Sequence, residues 1–215
     1  MRFCRICLPI ALTASLLAAP LLACEWPLTS ESIREAYEFG RKKNVKTALF
    51  LKRYLQEFPA PKVGPHIAVI RLETPYAAVV RRSGESPNYE TQDAEKEFLG
   101  KPGTLRFTVR IDFTRSYTHI VSSSDPNEPP QERSPDFWRD FQIRVMQGDT
   151  EIPPDKISGT PSYASDSTNG VAPLDGAMVA LEFDAAKIHC VPTTIDLLTP
   201  DGQHIQAPFD LAKLR

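Results

Sequence analysis

The sequence predicts an α+β fold in which N-terminal helices pack on a C-terminal antiparallel β-sandwich, immunoglobulin-like in the broad sense. Three observations lead to this prediction. Residues 104–114 form one long alternating strand, further alternating stretches follow it, and helix signals concentrate before residue 100. We therefore divide the chain into a signal peptide (1–23), a helical N-terminal segment (24–103) and a β-sandwich domain (104–215).

The stretch 104–114 is the central strand of this prediction. Every second residue in it is apolar, namely Leu105, Phe107, Val109, Ile111 and Phe113. Because successive side chains of a strand point to opposite faces, these five residues share one face. Clean alternation is typical of an antiparallel sheet that is covered on one side only. We expect the rest of the chain to cover that face.

The residues after this strand continue the β pattern. Apolar residues alternate within 141–145, 177–183, 195–197 and 205–211, and Pro200-Asp201-Gly202 is a strong hairpin turn. Two stretches rich in Ser, Pro and Thr are predicted to be long loops, 122–135 and 153–176. The Cys-Trp-Cys pattern of true immunoglobulin domains is absent from the sequence, so the prediction concerns the architecture only.

Helix signals occur at four places in the N-terminal segment. Residues 32–35 have the spacing of a capping box, and Thr74-Pro75 is typical of a helix cap followed by proline in the first turn. Thr91 is positioned to cap a further helix. Apolar residues at helical spacing form the remaining signal, Ala48, Leu51, Leu55 and Phe58.

The first 23 residues have the composition of a secretory signal peptide. Arg2 and Arg5 provide a short positive region, and residues 6–23 are uncharged and mostly apolar. The alternative is a retained transmembrane anchor. Pro9 and Pro20 interrupt the apolar run, and it is short for a membrane span, so the sequence favours the signal peptide.

The end of this apolar run reads Leu21-Leu22-Ala23-Cys24. It resembles the lipobox of bacterial lipoprotein precursors. The resemblance implies a diacylglyceryl thioether on Cys24, which would become the first residue of the mature chain and a membrane tether. Leu22 departs slightly from the usual pattern. Residue 25 is Glu rather than the Asp that signals inner-membrane retention in that family, so the resemblance implies an outer-membrane lipoprotein.

A disulfide between Cys24 and Cys190 is the competing interpretation. Cys4 and Cys7 leave with the signal peptide, so the mature chain holds two cysteines, and two cysteines in an exported protein suggest one disulfide. A lipid-modified sulfur cannot also form a disulfide. The sequence therefore leaves two possibilities open, an outer-membrane lipoprotein and a periplasmic or secreted protein.

Charge excludes one class of partner. The chain carries 25 basic and 27 acidic residues, and nothing in it forms the basic stripe that nucleic-acid binding requires. One basic cluster is present, Arg41, Lys42, Lys43, Lys46, Lys52 and Arg53. We interpret it as a solvated helix face, and the alternative is contact with anionic lipid, glycan or a partner protein.

Motifs for catalysis, metal binding or cofactor binding do not occur in the sequence. It contains no Gly-x-Ser-x-Gly, phosphate-binding glycine loop, His-Glu-x-x-His or Cys-x-x-Cys motif. His119, His189 and His204 lack the spacing of metal ligands, so we predict neither a metal nor a cofactor. Trp138 has strand parity opposite to Phe137 and Phe141, so it is a candidate for an exposed contact surface.

Three functional hypotheses follow from the sequence. The first is an exported, non-catalytic envelope protein, lipid-anchored or periplasmic, that binds a protein or glycan through its two long loops. The second is a cell-envelope hydrolase with a site assembled from dispersed residues. The third is an assembly accessory that docks a partner through its N-terminal helices, within residues 28–58.

Overall fold

The computed structural model describes residues 24–121, 127, 129–165 and 172–215. In this part of the chain it is a mixed fold with four α-helices and antiparallel sheets of five, four and two strands. The predicted combination of helices and antiparallel strands is thereby confirmed. The predicted signal peptide lies outside the described residues, as do parts of both predicted long loops.

The helices begin where the sequence supplies capping side chains. Thr29 caps the first helix and Ser32 completes its capping box, so the box predicted at 32–35 lies three residues earlier. Asn44 caps the second helix. Thr74 caps the third with Pro75 in the first turn, and this helix start was predicted. The helices are α1 Ser30–Arg41, α2 Val45–Lys52, α3 Pro75–Glu85 and α4 Thr91–Phe98.

Eleven strands lie within the described residues. The first five are β1 Leu55–Glu57, β2 His66–Glu73, β3 Thr104–Asp112, β4 Ile120–Val121 and β5 Gln131–Glu132. The others are β6 Gln142–Gln147, β7 Thr150–Ile152, β8 Lys156–Tyr163, β9 Leu174–Asp184, β10 Pro192–Leu198 and β11 His204–Asp210.

The largest sheet has the order β1-β2-β3-β9-β8, with β3 at its centre. Four of the five alternating residues predicted for this strand are fully buried, Leu105, Phe107, Val109 and Ile111. The prediction of a long half-buried strand is therefore confirmed. The edge strand β8 falls within the stretch 153–176, so the prediction of one continuous loop there is wrong.

The second sheet has the order β11-β10-β6-β7, and β4 pairs with β5 separately. The predicted turn between β10 and β11 is confirmed, with Gly202 at a φ of 87° that a side chain would disfavour. One hydrophobic cluster contains buried side chains from both large sheets. Within it, the ring of Phe107 lies 5.8 Å from that of Phe209 and 5.9 Å from that of Phe183, measured between centroids.

A second cluster joins the helices to one another. Its fully buried members come from α1, α3 and α4, and include Ile33, Ala36, Val79, Val80 and Ala94. Phe50 and Leu51 of α2 pack against it while remaining partly exposed. Because α2 contributes only this one side to the cluster, its opposite side is left for solvent.

The segment 24–103 contains strands as well as helices. β1 and β2 lie within it, and β2 pairs with β3 from His66↔Asp112 to Glu73↔Arg106. The helical description of this segment is corrected accordingly, and residue 103 falls between two adjacent strands of one sheet. A register shift between Ile67 and Val69 interrupts the alternation of β2, which is why the sequence pattern showed only a short β-rich run.

Candidate functional site

The outward side of α2 exposes apolar side chains. Val45 is 74% exposed and Leu49 is 59% exposed. With Lys52 they follow the spacing i, i+4, i+7, which places all three on one face of the helix. Ala48 and the surrounding cations are exposed as well. We call this set the α2 surface, and it comprises Val45, Ala48, Leu49, Lys42, Lys43, Lys46, Lys52 and Arg53.

The inward side of α2 is held firmly, which fixes the orientation of the outward side. The Thr47 hydroxyl donates to the carbonyl of Phe39 at 2.9 Å. The Phe50 ring lies 5.3 Å from that of Phe39 and 5.1 Å from that of Tyr54, between centroids. Aromatic contacts of this geometry stabilise a packed face. Val45 and Leu49 therefore point outward because Thr47 and Phe50 are anchored.

Among the residues that the structure describes, the cations of the α2 surface have no acidic partners. No Asp or Glu occurs between residues 41 and 53. In the described part of the chain, no side chain of the α2 surface forms an ion pair. The Arg53 guanidinium instead donates to the backbone carbonyl of Lys213. This surface is thus positively charged on a chain whose net charge is −2.

An apolar groove runs beside the α2 surface. Two adjoining cavities of about 170 and 210 Å³ share Leu51, Arg81 and Glu85 as lining residues. Arg81 donates to Glu73 at 2.6 Å and to Glu85 at 2.7 Å. Burial opposes the charge of the Arg81 guanidinium, but Glu73 and Glu85 outweigh it, so its pKa is raised. The charged side chains at the rim of the groove therefore pair with one another, Arg81 with Glu73 and with Glu85.

Cys24 is bonded to Cys190 through a disulfide, with their Cα atoms 5.9 Å apart. The backbone N–H of Cys24 donates to the carbonyl of Leu214 at 3.2 Å. Arg53 at the end of α2 contacts Lys213, which precedes Leu214 in the chain. The segment that contains Lys213 and Leu214 therefore contacts both Cys24 and the end of α2. Lipid attachment needs the same sulfur and stays a prediction.

Trp138 is buried, and the prediction that it is exposed is wrong. Its side chain is 5% exposed and belongs to the core cluster shared by the two large sheets. Phe137–Asp140 form a 3₁₀-helix rather than the start of a strand. The parity argument applies only to a strand, so it gave the wrong side for Trp138.

The described residues contain neither a cluster of metal ligands nor a membrane-spanning helix. No group of three or more His, Cys, Asp or Glu residues there is placed to hold a metal ion. His119, His189 and His204 thus form no such group. Across residues 24–121, 127, 129–165 and 172–215, no helix is long and apolar enough to cross a membrane.

Sequence reasoning found the cations of the α2 surface but missed Val45 and Leu49, and it placed Ala48 in an apolar stripe although Ala48 is exposed. The spacing of Val45, Leu49 and Lys52 was a visible signal that these residues share a helix face. A comparison of the chain with protein-family models, with curated proteins and with solved structures finds no match.

Proposed function

We propose that this protein is an exported, non-catalytic binding module of the cell envelope that makes its contact through the α2 surface. The observation that carries the proposal is the exposure of Val45 and Leu49 among cations that form no ion pair within the described residues. Exposed apolar side chains that are grouped and rimmed by charge mark interaction sites more often than isolated ones do. The apolar groove beside α2 extends this surface.

The scaffold that we propose for this surface is a β-sandwich formed by the two large sheets. The shared hydrophobic cluster and the contact between the rings of Phe107 and Phe209 support it. A sandwich of this kind is rigid, so it presents the attached helices in a fixed orientation. α2 lies within residues 28–58, and the proposal therefore places the contact in the N-terminal helices rather than in the two long loops.

Export is supported by the N-terminal sequence and by the cysteine pair. Residues 1–23 have the pattern of a signal peptide, and a disulfide between Cys24 and Cys190 fits an oxidising compartment. We propose a periplasmic or secreted protein on this basis, with an outer-membrane lipoprotein as the alternative if Cys24 carries lipid. In both cases the mature chain begins at Cys24.

Site-specific photo-crosslinking in the exporting cell tests the binding function. A photoreactive amino acid is placed at Leu49 and, in a matched control, at Met178, which is 50% exposed on β9. The proposal expects reproducible adducts at position 49, whether to protein, glycan or lipid, and few at position 178. Equal adduct yields at the two positions would overturn it, because the α2 surface would then contact nothing preferentially.

A further inference from the structure

We propose that the partner of the α2 surface is an anionic lipid bilayer, with Val45 and Leu49 inserted among the headgroups and the cations placed over the lipid phosphates. This inference rests on the proposed function, in which α2 is the contact surface. It goes further by committing that surface to one partner.

Charge complementarity is the first argument. Five cations surround the two exposed apolar residues, and none of them forms an ion pair in the described part of the chain. They are Lys42, Lys43, Lys46, Lys52 and Arg53. Clusters of this size are attracted to the negative surface potential of anionic membranes. A neutral glycan offers no comparable attraction to the same cations.

The shape of the surface is the second argument. Val45 and Leu49 lie one helical turn apart on the outward line of α2, and Lys52 continues that line. A short helix that lies flat on a membrane buries such a line of apolar tips at the headgroup boundary. Long lysine side chains around it can reach the phosphates while their methylene stems lie on apolar surface. α2 therefore presents apolar tips and cations on the same outward surface.

The position of Cys24 is the third argument. Arg53 at the end of α2 donates to the carbonyl of Lys213, and Cys24 is held by the neighbouring Leu214. Cys24, the residue at which the lipobox resemblance implies a lipid, is thus attached to the same segment as the end of α2. A lipid on Cys24 would hold this end at the bilayer, and without one the α2 surface would bind it reversibly.

Vesicle co-sedimentation of the mature chain, residues 24–215, tests the inference directly. The protein is mixed with vesicles of phosphatidylcholine alone or with added phosphatidylglycerol, at low and at high salt. We expect binding to the anionic vesicles that weakens as salt shortens the range of the charge interaction. The variant Lys42→Gln/Lys46→Gln/Lys52→Gln should bind on the order of 100-fold more weakly, because each cation contributes about fivefold at such a surface.

The apolar residues are tested separately. Val45→Ser/Leu49→Ser should weaken binding roughly tenfold at constant charge. Its matched control is Val63→Ser/Val191→Ser, which removes two exposed apolar side chains elsewhere. The matched control for charge is Lys62→Gln/Lys101→Gln/Lys156→Gln, at three exposed positions outside the α2 surface. Both controls should bind like the parent, and any effect of Cys24 is common to all variants.

Three outcomes would overturn the inference. The first is equal binding to neutral and anionic vesicles. The second is an equal loss of vesicle binding in a test variant and in its matched control. The third is sedimentation of the protein in the absence of vesicles, through self-association. If crosslinking at position 49 then yields a protein adduct, the binding function stands and only the choice of a lipid partner fails. If crosslinking also shows no preference, both proposals fail.

Discussion

The indole of Trp138 lies directly against the backbone of Gly159, and a Cβ on Gly159 would come within 2.1 Å of Trp138 Cε2. Gly159 lies on the edge strand β8, opposite the fully buried Val179 of β9. Trp138 therefore closes the side of the core where the large sheet ends. A glycine inside a strand often marks such a close approach.

Replacing Trp138 tests its role in the core. Trp138→Ala should lower the free energy of unfolding by about 3–5 kcal/mol, because it leaves a cavity over β8. Trp138→Phe should cost much less, since the indole Nε1 is buried without a hydrogen-bond partner in the described part of the chain. Urea denaturation measures both. An unchanged midpoint for Trp138→Ala would mean that the side chain does not support the core.

The contact of α1 with α3 makes a second prediction, at Gly40. A Cβ there would lie 2.1 Å from the carbonyl oxygen of Val80 and 2.0 Å from Ser83 Oγ. Gly→Ala inside a helix normally stabilises it by about 1 kcal/mol. Gly40→Ala should instead destabilise the protein by about 1–3 kcal/mol or more, because the helices must move apart. Thermal unfolding gives the sign, with Glu38→Ala on the exposed side of α1 as the control.

Elements with a strong local signal were predictable from sequence. The central strand β3 alternates without interruption, and its inward residues are fully buried as expected. α3 begins where Thr74 and Pro75 predicted a helix start. In both cases a short stretch of sequence contains the whole signal, because the period or the cap is local.

Elements defined by distant contacts were not predictable. β8 has Gly, Pro, Ser and Thr where an alternating strand would have apolar residues. It forms because β9 pairs with it and because Trp138 covers Gly159, and neither contact is visible locally. The apolar stripe predicted for one helix also failed at Leu55, which begins β1 because α2 ends at Lys52. Which residues of α2 face outward depends on which side of the helix is anchored, and tertiary contacts determine that side as well.

Asp196 lies on β10, on the outer side of the four-stranded sheet. Its contacts link β10 to both neighbouring strands, β6 and β11. Its carboxylate accepts hydrogen bonds from Arg144 of β6 and from His204 and Gln206 of β11. The side chain is only 10% exposed. Burial alone would raise the pKa of Asp196, but the hydrogen bonds from His204, Arg144 and Gln206 outweigh burial and lower it.

The lowered pKa of Asp196 gives a pH prediction with a definite sign. The ionised form is favoured in the folded protein, so its stabilisation is fully present above the unfolded-chain pKa of about 4. It declines as the pH falls below that value, and it is lost once the pH has passed through the lower folded pKa. Asp196→Asn should therefore cost about 1–2 kcal/mol near neutral pH and flatten the acid side of the stability curve.

Urea denaturation of Asp196→Asn across the acid range measures this effect. The exposed Asp149, in the turn between β6 and β7, provides the control variant Asp149→Asn. That control should keep the acid dependence of the parent protein. If Asp196→Asn keeps it as well, the network around Asp196 does not contribute to the pH dependence.

The disulfide between Cys24 and Cys190 spans 166 residues of sequence. In the chain-entropy model, a loop of this length stabilises the folded state by about 5 kcal/mol. We expect the mature protein to lose roughly that much stability in reductant. Cys190→Ser should lose a similar amount of stability in the absence of reductant.

The mass of the unreduced chain should be two hydrogens below that of the reduced chain. A larger mass on the N-terminal peptide, together with a reactive thiol at Cys190, would instead identify a lipid on Cys24. That result would mean that the protein is a lipoprotein tethered to the membrane through Cys24. The α2 surface would then set the orientation of a chain that the lipid already holds at the membrane.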